Sequence, residues 1–323
     1  GTGYGTGLVR RYALARGLLD RPGARGSHTV PTPRGGGLAL VLALLAGYGA
    51  GALLGLVSGD LALTIALGGA LVAAVGFLDD HGEVPARWRL GVHLAACILA
   101  LVLLGPVREL PLPGGTVPLG FAGVGLSLLA GVSLVNLYNF MDGIDGIAGA
   151  ELVCLSAGLL LVSAGAEALL LPGLLGIAGG VGFLAWNWPP ARIFMGDVGS
   201  GFLGFLVGAV VLAGVGSGAV SLFPPLILLG VFVVDTTVTL LTLGRAGQRV
   251  GEAHRTHAFQ HLARRFGHAP VTLGSCAVNL LWLLPIAWFA ERSPALGLPL
   301  LAFAWAPLVV LALRVRAGRP GRL

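Results

Sequence analysis

The sequence predicts an all-α fold: a polytopic transmembrane helical bundle of about ten spans, forming a single integral membrane domain over residues 1–323. Three observations carry that expectation. Only 11% of the residues are charged and 56% are hydrophobic, whereas soluble domains carry roughly 25% charged residues. The mean hydropathy is +0.90, and the apolar runs reach the roughly 20 residues that a helix needs to cross a bilayer. No stretch alternates with the period of a transmembrane barrel, so helices, which satisfy their own backbone in lipid, are the expected spans.

The first residues, GTGYGTGLV, are too short to span or to act as a secretion signal. They read as the remnant of a truncated or missing first helix, or as an expression scar. Residues 10–34 form a basic segment ending in a Pro-broken loop. Ten apolar runs follow, at about 35–57, 60–78, 90–107, 121–138, 148–165, 167–186, 199–215, 220–243, 271–290 and 297–313. Between two of them, RELPLPGGTVPLG at 108–120 has a Gly-Gly turn between short arms and predicts a small hairpin. There is no internal repeat. Cys97, Cys154 and Cys276 stand singly in apolar runs, as small core residues rather than a disulfide framework or zinc site.

The formal charge of +6 comes entirely from arginine, since the chain has no lysine. A basic total raises nucleic acid as a partner, but these arginines sit between hydrophobic spans, and membrane orientation explains them better. With residues 10–34 on the cytoplasmic side, eighteen arginines fall inside and only Arg108 and Arg292 outside, a positive-inside bias. The same threading puts Asp79, Asp80, Asp142, Asp145, Asp197, His254 and His257 on the cytoplasmic side. The active site is expected on that face.

Four stretches carry the chemistry. NLYNFMDGIDGIAGAE (136–151) packs Asn136, Asn139, Asp142 and Asp145 beside Gly143 and Gly146. Carboxylates hold a hard cation such as Mg²⁺, and glycines let a ligand approach the backbone. Asp142 and Asp145 share a face if that turn is helical; Asp145 reads equally as a cap or first-turn acid of the next helix. Asp79-Asp80 closes an apolar run, where the helix dipole disfavours acids, so the pair asks for a cation. Neighbours on a helix point about 100° apart, so one can ligate a metal while the other faces substrate.

NWPPARIFMGDVGSG (187–201) joins two runs through a double proline and a glycine-flanked acid, Asp197, which also reads as an N-cap. Asn187 and Arg192 lie nearby, Phe194 suits stacking on a base, and backbone N–H groups around Gly196 suit phosphate. In RVGEAHRTHAFQHLARR, His254, His257 and His261 fall on one face of an expected amphipathic interfacial helix, with Arg255, Arg264 and Arg265 completing a basic surface. Asp235 reads as the only acid deep within a run, either an ion relay or a packing residue bonded to Thr236, Thr239 or a neighbour.

Together these motifs resemble the polyprenyl-phosphate N-acetylhexosamine-1-phosphate transferase family, which includes phospho-MurNAc-pentapeptide translocase. The matching pieces are SHTVPTPRGGG at 27–37, Asp79-Asp80, NFMDGIDG at 139–146, NWPPARIFMGDVGSG and EAHRTHAFQH at 252–261, in the family's order over nearly the whole chain. The forms SHxxPTPRGGG and HRxH resemble the O-antigen-initiating branch. The peptidoglycan branch has three consecutive histidines, whereas Arg255 and Thr256 separate His254 from His257 here.

The resemblance implies ten or eleven helices and Mg²⁺-dependent transfer (Mn²⁺ in its place is the variant) of a sugar 1-phosphate from a UDP-N-acetylhexosamine to undecaprenyl phosphate, releasing UMP. It implies a multi-pass protein of the bacterial cytoplasmic membrane. By resemblance Asp197 is the metal ligand, and Asp79 the essential acid or base, supported by Asp80. Arg34, Asn139, Asp142, Asp145, Asn187, Phe194 and Gly196 form the substrate surface; His254, Arg255 and His257 bind phosphate. No nucleic acid is expected, and assembly, a homodimer included, is left open. The rival reading is a secondary transporter, whose acids would sit near the membrane midplane with repeat symmetry.

Overall fold

The computed structural model describes residues 1–20, 31–248 and 256–319. It is a helical bundle. The helices are α1 (Thr2–Arg16), α2 (Gly37–Leu53), α3 (Gly59–Thr64), α4 (Ala70–His81), α5 (Ala86–Leu104), α6 (Gly120–Met141), α7 (Ile147–Val162), α8 (Glu167–Asn187), α9 (Asp197–Gly216), α10 (Phe223–Leu228), α11 (Gly230–Arg245), α12 (Ala258–Phe266), α13 (His268–Val278), α14 (Leu284–Arg292) and α15 (Gly297–Arg314). Wide π-helical turns at Ile65–Gly69 and Asn279–Leu283 run α3 into α4 and α13 into α14. Each pair is therefore one membrane-length helix, Gly59–His81 and His268–Arg292.

Among the described residues seven helices are long and apolar enough to cross a membrane, and α2 and α7 are shorter apolar helices. With the α10–α11 pair, every one of the ten expected runs is helical. The N-terminal residues, read as the remnant of a first helix, are helical from Thr2 and continue through Arg16, past the start of the expected basic segment, as one helix packed on α2 and α8. That helix ends where Gly17 takes a left-handed φ of 68°. The expected hairpin is present as β3 (Glu109–Leu112) and β4 (Gly115–Pro118). A second pair was not foreseen: β1 (Leu19–Asp20) runs antiparallel to β2 (Thr32–Pro33) and brings Asp20 to the site.

α9 is the central helix, packed on α2, α4, α6 and α8. Its closeness depends on glycine. A Cβ on Gly76 of α4 would lie 2.4 Å from the Asp197 carbonyl oxygen, and one on Gly204 would lie 2.4 Å from that of Leu134. Bare backbones let apolar helices approach where lipid supplies no hydrophobic drive between them. The Gly76 approach matters most, because it sets the end of α4, with Asp79 and Asp80, against the start of α9.

Candidate active site

At the end of the bundle where α4, α6 and α8 finish and α7, α9 and α13 begin, a cavity of about 230 Å³ opens. It is lined by nine residues singled out from sequence: Arg34, Asp80, Asn139, Asp142, Asp145, Asn187, Phe194, Gly196 and Asp197. Asp20, Ser200 and Gln260 complete the polar wall.

The cavity is built by lacing three loops. Phe194 N–H donates to the Pro33 carbonyl at 2.8 Å, and Gly36 and Gly37 N–H groups donate to the Phe194 and Met195 carbonyls at 2.9 Å each. The PTPRGG stretch thus runs along the 193–196 loop and directs Arg34, whose guanidinium donates to the Asp80 carbonyl. Asn187 is a buried latch. Its Oδ1 accepts from Gly146 N–H and its Nδ2 donates to the Ile193 carbonyl, both at 2.9 Å.

Asp80 does something the sequence did not suggest. Its two carboxylate oxygens accept the N–H groups of Asp197 (3.0 Å) and Val198 (3.1 Å), closing the N-terminus of α9. The dipole that disfavours an acid at the end of α4 is answered by the positive end of α9. The N–H groups of Asp197 and Val198 are thus engaged by Asp80. Asp197 is the first residue of α9 rather than its cap. Gly196 adopts φ 76°, and a Cβ there would lie 2.5 Å from Asp80 Oδ2.

Asp79 is not among the residues that line the cavity. Its Oδ1 accepts from Val84 N–H at 2.8 Å and its Oδ2 from Arg89 Nη1 at 2.7 Å. The same Nη1 reaches Asp197 Oδ2 at 2.9 Å. Arg89, noticed in the sequence only for orientation, bridges the two acids.

Residues 142–146 are a loop, not the helical turn that would align Asp142 with Asp145. Asp145 is tied down: Oδ2 accepts from Ala191 N–H at 3.0 Å, Oδ1 lies 3.2 Å from His268 Nδ1, and Thr272 Oγ1 donates to its carbonyl at 2.9 Å. The Asp142 carboxylate has no hydrogen-bond or ion-pair partner among the described residues. Burial, then repulsion from Asp197, Asp80 and Asp145, pushes its pKa well above the usual carboxylate range. Asn139 Nδ2 donates to Ser200 Oγ at 3.1 Å.

The histidine stretch is arranged differently from the expected helix face. His257 precedes α12 as its N-cap, and its ring is 1% exposed and outside the cavity lining. Its Nδ1 lies 3.3 Å from Asp235 Oδ1. Asp235 also accepts from Ala258 and Phe259 N–H at 2.9 Å each, and from Thr239 Oγ1 at 3.1 Å. A carboxylate on α11 therefore anchors the start of α12. Nor is Asp235 the only deep acid, since Glu151 of α7 is 2% exposed. His254 and Arg255 lie outside the described residues.

Among the described residues no three His, Cys, Asp or Glu side chains form a preassembled metal cage. A Mg²⁺ ion does not need one; it takes one or two carboxylates and completes its shell with phosphate and water. Asp142 and Asp197 fit that requirement. The first is a carboxylate with no partner among the described residues and faces three other acids, and the second lies between Arg89 and the side chains of Asp79 and Asn139.

Residues 62–215 match the family model described as Glycosyl transferase family 4. The chain is 32% identical to the Bacillus subtilis protein named "Probable undecaprenyl-phosphate N-acetylglucosaminyl 1-phosphate transferase", over 81% of this chain and 74% of that one. It is 32% identical to the Mycobacterium tuberculosis decaprenyl-phosphate N-acetylglucosaminephosphotransferase, over 90% and 80%. It is 28% identical to the Gluconobacter oxydans phospho-N-acetylmuramoyl-pentapeptide-transferase, over 85% and 84%. On this likeness, spanning the helices that build the cavity, the chain belongs to glycosyl transferase family 4.

Proposed function

We propose that the protein transfers an N-acetylhexosamine 1-phosphate from a UDP-sugar to undecaprenyl phosphate, releasing UMP, at the cytoplasmic face of a bacterial inner membrane. The relatives' names support a polyprenyl phosphate acceptor and an N-acetylglucosamine donor. The form of the SHxxPTPRGGG and HRxH motifs supports a product that initiates a cell-surface polysaccharide such as O-antigen. The observation that carries the reading is the Asp142 carboxylate, without a partner among the described residues, sharing one cavity with Asp80, Asp197 and Arg34.

The reaction needs two anions to meet. The acceptor phosphate has a second pKa of about 6, so near neutrality it is already an anionic nucleophile and no protein base is required. One of its oxygens bonds to the sugar-bearing phosphorus as the bond from that phosphorus to the bridging diphosphate oxygen breaks, and UMP leaves with the electron pair. A covalent aspartyl intermediate is unnecessary. Asp142 and Asp197 would hold a Mg²⁺ ion, which when bound offsets the charge of the diphosphate. Arg34 adds positive charge at the cavity wall and Arg89 adds it behind Asp197, Phe194 offers a face for the uracil, and Asn187 and Asp145 keep the loops in register.

The acceptor's tail needs hydrocarbon. An apolar groove of about 280 Å³ between α11, α12, α13 and α15 offers it, lined by Phe259, Leu262, Val271 and Leu308. Phe259 stands between the two spaces, since its ring also lies against Gly143 of the cavity loop. A tail in the groove leaves its phosphate beside the carboxylates.

The test is incubation of purified protein with undecaprenyl phosphate, Mg²⁺ and a panel of UDP-N-acetyl sugars, scoring released UMP. Release with one sugar supports the reading. Substrate flux into liposomes without UMP release would instead support the transporter.

A further inference from the structure

Glu151 and Asn279 meet inside the bundle, away from the cavity wall. Glu151 lies on the second turn of α7 and is 2% exposed; Asn279 opens the wide turn between α13 and α14 and is 4% exposed. Asn279 Nδ2 donates to Glu151 Oε2 at 2.7 Å. The other oxygen of each side chain, Glu151 Oε1 and Asn279 Oδ1, is buried without a hydrogen-bond partner among the described residues. The titratable groups facing Glu151 are Tyr138 on α6, Cys154 on its own helix and Cys276 on α13; none is a cation.

Two orphaned acceptors on one contacting pair lack one thing between them, a proton. An ionised carboxylate here would be an unpaired charge in an apolar interior, and Asn279 Oδ1 would face it with no donor. A carboxylic acid removes both costs. It accepts at Oε2 and donates at Oε1, the complement of a carboxamide.

We propose that Glu151 is held as an un-ionised carboxylic acid, its Oε1–H donated to Asn279 Oδ1 while Asn279 Nδ2 donates to Oε2, and that this two-pronged clamp is a positioning device for Asp145. The clamp joins α7, which starts immediately after the 142–146 loop, to the helix whose first turns carry His268 and Thr272, the two side chains on Asp145. It fixes the spacing of those helices one to two turns below the site. The π-helical turn at Asn279 fits such a role, since these turns recur where a helix must re-aim a side chain for function. The positioning half rests on the transferase reading; the protonation half does not.

Infrared difference spectra between the wild type and Glu151→Gln, in detergent, test the acid directly. The wild type shows an un-ionised carboxyl carbonyl band at neutral pH, and that band shifts in D₂O. The variant lacks it. Absence of that band from the difference spectrum overturns the proposal, and a band that appears only when Na⁺ is removed assigns the pocket to a cation instead. UMP release tests the positioning. Glu151→Gln preserves both prongs as an amide pair and stays within about twofold of wild type, whereas Glu151→Leu leaves Asn279 unpaired and loses about tenfold in kcat/KM. Equal damage by Gln and Leu, or none by Leu, overturns the clamp. Should Leu fail to fold, the Gln comparison and the spectrum still decide. A wild type that releases no UMP yet shows the band sinks the transferase reading alone.

Discussion

The Asp80 carboxylate closes the N-terminus of the helix that begins at Asp197, taking the N–H groups of Asp197 and Val198 at 3.0 and 3.1 Å. An acid at the end of one span thereby fixes the origin of another, and Asp197 is aimed by Asp80. Gly196 makes room for the contact. Gly196→Ala is expected to fail twice, because φ 76° strains any L side chain and the new Cβ would fall 2.5 Å from Asp80 Oδ2. The expected loss is about 2 kcal/mol of stability, read as a lowered Tm in detergent, with turnover falling at least tenfold. Unchanged Tm and turnover would show that the Asp80 contact does not set the site.

Asp197 itself bears function rather than stability. It lies at the cavity wall with one ion pair to Arg89, and pairs this exposed contribute roughly 0–1 kcal/mol. Asp197→Asn is therefore expected to abolish UMP release while Tm stays within a few degrees of wild type. Near-normal turnover would remove Asp197 as a cation ligand.

Asp142 predicts opposite signs for activity and stability. Its carboxyl pKa is raised in the folded protein by burial and by neighbouring acids. The native state then holds the proton more tightly than the unfolded chain, whose aspartate titrates near 4. Stability is full below about pH 4 and declines as pH rises through the window up to the folded value. Asp142→Asn carries no such cost. In chelator-treated protein its Tm advantage over wild type should be absent near pH 4 and grow toward neutrality, while its turnover collapses. A variant less stable than wild type at neutral pH would mean that the carboxylate has a partner.

Much of this site was legible in the sequence. Acids next to glycines in an apolar chain are costly and rare, so NFMDGIDG, the Asp79-Asp80 pair and FMGDVGSG stood out, and seven of the residues they flagged share one cavity with Arg34 and Asn187. What was not legible was the partner of each. Whether a carboxylate binds a ligand or a helix end depends on contacts between residues 117 positions apart, as between Asp80 and Asp197. Arg89 looked like one more inward-facing charge because nothing local marks an arginine that bridges two spans. The histidines misled by spacing: i, i+3 and i+7 describe a helix face only if the helix has begun, and it begins after His257. Asp20 arrives through a two-residue strand pair too short to leave a pattern.

That late start makes Asp235 testable as an anchor. Its buried carboxylate takes the N–H groups of Ala258 and Phe259, the hydroxyl of Thr239 and a close contact with His257. Asp235→Asn keeps the shape but turns one oxygen into an NH₂ facing a backbone N–H, leaving a buried donor unmatched at a cost of about 1–3 kcal/mol. The effect should be local. Since α12 carries Gln260 into the cavity and Phe259 between cavity and groove, loosening it should raise KM for the lipid acceptor more than for the nucleotide sugar. Limited proteolysis should cut faster within the 244–270 connection, with global Tm lowered by only a few degrees. If Asp235 were instead an ion relay, the variant would leave proteolysis unchanged and the two KM values would move together.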